Sequence, residues 1–292
     1  MRRLIVNGDD FGYARSVNAG ILRAFCDGVL TSTTLMANGD AFDDAVRLAR
    51  AHPDLGVGCH LVLVGEPPVA PAKTIPTLIG RDGRLPSSPA RLAGRLALGR
   101  VRQADIETEL RAQVGRICAA GIRPTHVDTH KHTHLYPRVM QAVASIAAEF
   151  GIEAVRKPYE SPRSLFAAGP GRERGKFGRS LAAVAARVGR RRFRVLAERG
   201  GLRAPDHFLG MGWTGELSAP RLVQAVERLP QGTTELMCHP GVYDDELERK
   251  RTRLKRERQQ ELDALTDPEV ARAIRRAGIQ LISFRELAET HA

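Results

Sequence analysis

Apolar side chains along this chain fall into short strand-like runs that alternate with stretches of helical period. Leu4 to Val6 is a strand-like run that ends in Asn7-Gly8-Asp9-Asp10, and Ser16 to Phe25 then carries apolar residues at helical spacing behind a capping Ser16. The order repeats with a strand at Leu30 to Met36, a helix at Ala41 to Ala51 and a strand at Leu55 to Leu63. Gly65 to Ser88 is rich in proline and glycine and long enough to be a lid or an insertion. An amphipathic helix follows at Asp105 to Ala120, then a turn at Gly121 to Pro124 and a strand at Thr125 to Asp128. Beyond it the pattern predicts helices at Pro137 to Gly151, Leu181 to Leu196 and Ala219 to Leu229, and strands at Ala154 to Arg156 and Thr234 to Cys238. Glu246 to Leu265 mixes basic and acidic side chains throughout and reads as a solvated helix, before a last long helix at Val270 to Ala277 and a final strand at Gln280 to Ser283.

Strand and helix alternate about seven times, with polar residues at the strand ends. That order implies an α/β fold with a parallel sheet whose loops build a site on one face. No glycine-rich dinucleotide loop follows the first strand, which favours a closed or nearly closed barrel over a doubly wound sheet. The chain has 292 residues, 42% of them hydrophobic, and is read as one domain able to bury its core without disulfides. Cys26, Cys59, Cys118 and Cys238 form no CxxC unit and are expected as small buried side chains in a reducing compartment. The apolar run near the N-terminus is too short for a signal peptide or a membrane span, so the cytoplasm is the expected address.

Charge adds a question of partners. The formal net charge is +12, and twelve Lys or Arg residues lie between Arg163 and Arg203 against Glu173 and Glu198. A solvated surface, an anionic membrane surface or a phosphorylated substrate each fits that cluster. Aromatic residues make up only 5% of the chain and do not alternate with the basic ones, so a base-stacking platform for specific nucleic-acid binding is not expected.

The candidate chemistry sits at strand ends. Asp9 and Asp10 together suit a site where one carboxylate holds a cation and the other takes a proton, although an Asx turn before the first helix would use the same residues. His60, alone, is equally well read as a core histidine; its place at a strand end brings it toward the aspartates. The run His126-Val127-Asp128-Thr129-His130-Lys131-His132-Thr133-His134 shifts the balance, because four histidines at alternate positions project to one side of an extended chain. So many imidazoles in a dry core would leave ring nitrogens unsatisfied, which points to a wet or metal-bearing site. Asp128 is placed to accept a histidine N–H, and Lys131 to reach the rim. His239, in Cys238-His239-Pro240-Gly241, suits a general acid if it faces a carboxylate base across the substrate. These residues assemble into a site of two histidines and one carboxylate with open positions; no GxSxG elbow is present, so water is the expected nucleophile.

Taken in order, Asn7 to Gly12, Thr31-Ser32-Thr33-Thr34, Gly58-Cys59-His60-Leu61, the histidine run and Met237-Cys238-His239-Pro240 resemble the YdjC-like carbohydrate deacetylases over residues 3 to about 287. Within that family the chain is similar to the hopanoid-biosynthesis-associated branch, through His130-Lys131-His132-Thr133-His134 and the segment Asp206 to Met211. The resemblance implies a distorted (β/α) barrel acting on N-acetylated amino sugars. It implies Asp10, His60 and His130 as ligands of one divalent ion, Mg2+ or Zn2+, with Asp9 as base and His239 as acid. It places His132 at the acyl group or sugar, and leaves Asp128, His134 and Lys131 as supporting or substrate-contacting residues. For the branch, the implied substrate is an N-acetylglucosaminyl hopanoid at the inner face of the cytoplasmic membrane, where the basic segment would rest on anionic lipid; the family also implies a homodimer. Gly8 departs from the alanine of many relatives, and Lys131 from the histidine of those active on chitooligosaccharides, which argues against transferring their substrate. Soluble N-acetylated oligosaccharides, other metal-dependent phosphoester or amide hydrolysis, and a noncatalytic carbohydrate- or membrane-binding module stand as alternatives.

Overall fold

The computed structural model describes residues 1–160 and 179–289, excepting the side chains of 179–188. Seven strands, β1 (Arg2–Phe11), β2 (Ser32–Leu35), β3 (Gly56–Leu61), β4 (Val127–Thr129), β5 (His207–Leu209), β6 (Gly232–Cys238) and β7 (Gln280–Leu281), form one sheet. Its order is β4-β3-β2-β1-β6-β5, with β7 beside the first half of β1, and every pairing is parallel. Past β4, Val127 bridges Val155 and Ala154 bridges Arg203, which carries the curl onward toward β5. The result is a curled half-barrel, consistent with the distorted (β/α) barrel that the family resemblance implies.

Eleven described helices accompany the strands: α1 (Arg15–Cys26), α2 (Phe42–Ala51), α3 (Pro89–Ala97), α4 (Gln103–Ala119), α5 (Pro137–Glu149), α6 (Arg179–Arg199), α7 (Ala219–Glu227), α8 (Asp245–Arg249), α9 (Arg256–Thr266), α10 (Pro268–Arg276) and α11 (Phe284–Glu289). β1 is buried from Leu4 to Phe11, as a strand covered on both faces must be. All strands being parallel, their carboxyl ends share one face of the sheet, and the polar residues found there converge.

The Gly65 to Ser88 segment is stapled to α4 by a polar stripe. Asp105 accepts from the Thr77 backbone N–H at 2.7 Å and Glu109 from Val69 and Ala70 at 2.9 Å each, while Gln113 accepts at 2.8 Å from Val62, just past the end of β3 and ahead of that segment. Spaced four apart, these three side chains share one helix face and satisfy backbone groups that an irregular segment cannot pair by itself.

Several expectations are corrected. Glu246 to Leu265 is not one solvated helix: it breaks into α8 and α9, and Arg258 and Glu261 are only 2% and 1% exposed because carboxylate and histidine partners await them in the barrel mouth. The histidine run does not stay extended. After Thr129 it turns into a 3-10 segment in which Lys131 and His132 adopt φ of 54° and 53°, so its imidazoles fan out instead of facing one way. Cys26 is exposed rather than buried. Residues 163–178 of the basic segment lie outside the described residues. Among those described, no helix is long and apolar enough to cross a membrane.

Candidate metal centre and active site

Asp10 is the penultimate residue of β1. Its φ of 69° is one of three positive values at non-glycine residues among the described positions, and the other two, Lys131 and His132, line the same cavity. Such backbone costs on the order of 1 kcal/mol per residue and gathers where a site needs it. Here it brings together two neighbouring carboxylates that would leave a regular strand on opposite faces, so that both reach one cavity of about 560 Å³.

Three donor atoms meet at its floor. Asp10 Oδ1 lies 3.4 Å from His60 Nε2 and 3.2 Å from His130 Nδ1, and the two imidazole nitrogens are 3.3 Å apart. His60 is oriented from behind: its Nδ1 is 2.7 Å from Asp128 Oδ1 and 3.1 Å from the Thr34 hydroxyl. With Nδ1 so engaged, Nε2 is the nitrogen left to face the other donors. Asp10 Oδ1 is buried and has no hydrogen-bond partner. An orphaned carboxylate oxygen facing two imidazole nitrogens fits a divalent cation, and so does the spacing, since donors about 2.05 Å from a tetrahedral ion stand about 3.4 Å apart. Asp9, His60 and Asp128 form a second set of clustered donors, but Arg156 already occupies two of its carboxylates.

Arg156 is fully buried and uses every guanidinium nitrogen. Nη1 and Nη2 reach the two Asp9 oxygens at 2.7 and 2.6 Å, Nε donates to Glu235 at 2.7 Å, and Nη1 also pairs with Asp128. Burial works against the Asp9 charge, yet Arg156 outweighs it and holds the carboxyl well below its usual range. Asp10 is lowered in the same way, burial being overcome by Arg258 and by His130 and His60. Burial pushes Glu235 up to about 8 despite Arg156, with Asp128 and Asp9 adding to the rise. Burial opposes charge on His60, but Asp128, Asp10 and Asp9 together raise it to about 10.

His239 stands opposite. Its Nε2 is 3.9 Å from Asp9 Oδ2, its Nδ1 is 3.9 Å from Glu261 Oε2, and its backbone N–H donates to that same Glu261 oxygen at 2.5 Å. The other histidines divide by location. His132 lines the cavity with its ring edge toward Phe208, its Nδ1 is buried without a partner, and burial with Arg156 nearby keeps it well below the usual imidazole range. His134 does not reach the cavity: it receives the Thr129 hydroxyl at Nδ1 (2.6 Å), donates from Nε2 to the Arg156 carbonyl (3.2 Å), and burial lowers it to about 3. His126 lies beneath the floor, stacked on Phe284 at 3.7 Å and donating to Asn7, which in turn donates to Asp9. Gly58 is required there, because a Cβ at that position would lie 2.5 Å from the His126 ring. Lys131 is exposed at the rim.

Four charged residues of this site, Arg156, Glu235, Arg258 and Glu261, escaped the sequence reading. Glu235 left a trace, a lone charge inside a strand that must find a buried partner, whereas Arg156 stands beside Lys157 at the end of a short strand-like stretch and reads as a surface charge. Arg258 and Glu261 left none, being hidden among the charges of a segment that looks solvated.

A profile of the family described as YdjC-like protein matches residues 3–276. The chain belongs to the YdjC-like family. A carbohydrate deacetylase of Geobacillus stearothermophilus is 36% identical over 286 residues, covering 98% of each chain. A carbohydrate deacetylase of Mus musculus is 35% identical over 263 residues, covering 82% of this chain and 78% of its own. The crystal structure of a "putative cellobiose-phosphate cleavage protein" of Enterococcus faecalis V583 superposes with a TM-score of 0.79 at 25% identity, covering 98% and 99% of the two chains. Family membership and the clustered donors support hydrolysis of the carbohydrate deacetylase type.

Proposed function

We propose that the chain removes the N-acetyl group from an N-acetylated amino sugar, using one divalent ion held by Asp10, His60 and His130. The observation that carries this reading is the buried, unpartnered Asp10 Oδ1 facing two imidazole nitrogens, with Asp9 and His239 3.9 Å apart beside it. Two imidazoles and a carboxylate suit zinc better than magnesium, which prefers oxygen donors and retains water. When bound, such an ion lowers the pKa of water and polarises an amide carbonyl.

The chain's own residues would do the rest. Asp9, kept ionised by Arg156, accepts a proton from the attacking water as its oxygen bonds to the acetyl carbon. That same pairing makes Asp9 a weak base, so it depends on water already acidified. His239 gives a proton from Nε2 to the amide nitrogen as the C–N bond breaks, since an amide anion is a very poor leaving group. Free amine and acetate are the products. Asp128 and Thr34 hold His60, while His132 is the cavity imidazole available to the acetyl group or sugar. A noncatalytic module would have no use for Asp9 and His239 set 3.9 Å apart in the same cavity.

For the natural substrate we favour an N-acetylglucosaminyl hopanoid or a similar lipid-linked amino sugar, on the wording of the histidine run and of Asp206 to Met211. Within this reading the enzyme is cytoplasmic, rests against the inner membrane face through its basic segment, and works as a homodimer. The test is acetate release from N-acetylglucosaminyl hopanoid in detergent, compared with N-acetylated chitooligosaccharides, under zinc, magnesium or chelator. Faster metal-dependent release from the glycolipid supports the reading; release from the oligosaccharide alone keeps the chemistry and rejects the lipid.

A further inference from the structure

Arg156 and Arg258 are the two largest fully buried polar side chains of the mouth, and they are used differently. Arg156 engages every guanidinium nitrogen. Arg258 makes one strong contact, from Nη2 to Asp10 Oδ2 at 2.5 Å; its Nε reaches the Leu254 carbonyl only at 3.4 Å, and its Nη1 is buried without a partner. The Tyr13 ring, 5.9 Å from the guanidinium carbon, is its remaining neighbour of note. A buried guanidinium with most of its donors poorly met is a poor stabiliser, and an apolar side chain of similar length would serve the fold as well. Its charge is spent on a single atom, the Asp10 oxygen that points away from His60 and His130.

We infer that Arg258 is a positioning residue of the metal centre, which restricts Asp10 to one coordinating oxygen and keeps a positive charge beside the bound cation. The inference rests on the metal reading above. With Oδ2 engaged by Arg258, only Oδ1 can turn to the ion, so the carboxylate occupies one position rather than two and leaves room for water and a substrate oxygen. The guanidinium also offsets part of the carboxylate charge. The ion is then held less tightly but remains less neutralised, which favours the negative charge that develops on the substrate oxygen during hydrolysis. Arg258 thus sacrifices affinity for the cation in favour of electrophilic strength.

This makes an unusual forecast: removing a residue from the neighbourhood of the metal should tighten metal binding. Metal-free wild type, Arg258→Met and Arg258→Lys are titrated with Zn2+ in competition with a chromophoric chelator, and acetate release is measured at saturating Zn2+. Arg258→Met is expected to bind Zn2+ at least about tenfold tighter and to retain less than about a tenth of the turnover, because a neutral side chain removes a repulsive charge and frees the second oxygen. Arg258→Lys, which keeps the charge, should stay within about threefold of wild-type affinity. Equal or weaker binding by a folded Arg258→Met protein overturns the inference. If that variant does not fold, Arg258→Gln against Arg258→Lys makes the same comparison, and equal affinities overturn it. Wild type that binds no divalent ion removes the metal reading itself, whereas wild type that binds while the variants match it removes only the role of Arg258.

Discussion

Replacing Arg156 with methionine tests the charge arrangement on which the site depends. The substitution keeps an unbranched apolar stem and deletes a guanidinium that pairs with Asp9 through two nitrogens, with Glu235 and with Asp128, all fully or nearly fully buried. Breaking a buried pair strands a charge without compensation and costs about 3–5 kcal/mol. At about 2–4 °C per kcal/mol for a chain of this size, the melting temperature should fall by on the order of 10 °C at pH 7. The sign of the pH dependence follows from Asp9, whose carboxyl is lowered below 3.8 by Arg156 against the opposing effect of burial. A depressed carboxyl contributes stability that is present above its unfolded pKa and lost only as pH falls through the folded value, so wild type keeps it at pH 5. Without Arg156, burial is opposed only by the weaker effects of His60 and His239, and Asp9 takes up a proton more readily, so the variant's deficit should shrink between pH 7 and pH 5. Urea unfolding at the two pH values measures it, with Arg156→Lys as the variant that retains charge but not the fork. A deficit below about 1 kcal/mol, or one independent of pH, would mean that Arg156 does not hold Asp9 ionised.

Asp9→Asn should keep its metal and lose at least about a hundredfold in turnover, whereas His130→Ala should lose metal; metal analysis after gel filtration separates the two roles. Glu261→Gln keeps an acceptor for the His239 backbone but removes the charge 3.9 Å from its Nδ1; kcat should fall about tenfold with KM and metal content unchanged. Glu235, raised from 4.5 to about 8, contributes stability below pH 4.5 that is lost as pH rises through 8. Glu235→Gln resembles the protonated form, so relative to wild type it should gain on the order of 1 kcal/mol between pH 7 and pH 9 in urea unfolding, and a parallel pH dependence would count against this account.

The barrel was legible because its signal is repetitive: buried parallel strands read as apolar runs, and Asp9, Asp10, His60, Asp128, His130 and His239 fall at or just beyond strand ends. The conformation of the histidine run was not, since alternation implies an extended chain and gives no notice of the left-handed backbone at Lys131 and His132. That turn decides which imidazole enters the cavity and which, like His134, braces the backbone beneath it. The countercharges were the other loss. Arg258 lies 248 residues from Asp10 in the chain, and nothing in its neighbourhood distinguishes it from the solvated arginines on either side. Propensity reports which segments form helices; a buried charge reports itself only once its partner is in place.

The measurement that bears most directly on the central claim is a titration of chelator-stripped protein with Zn2+, following bound metal and acetate release from an N-acetylated amino sugar in the same samples. The account predicts that activity is absent without metal, rises in proportion to bound ion and levels off at one equivalent, and that His130→Ala abolishes both responses. Full activity in the stripped protein, or release that does not follow metal occupancy, would contradict it.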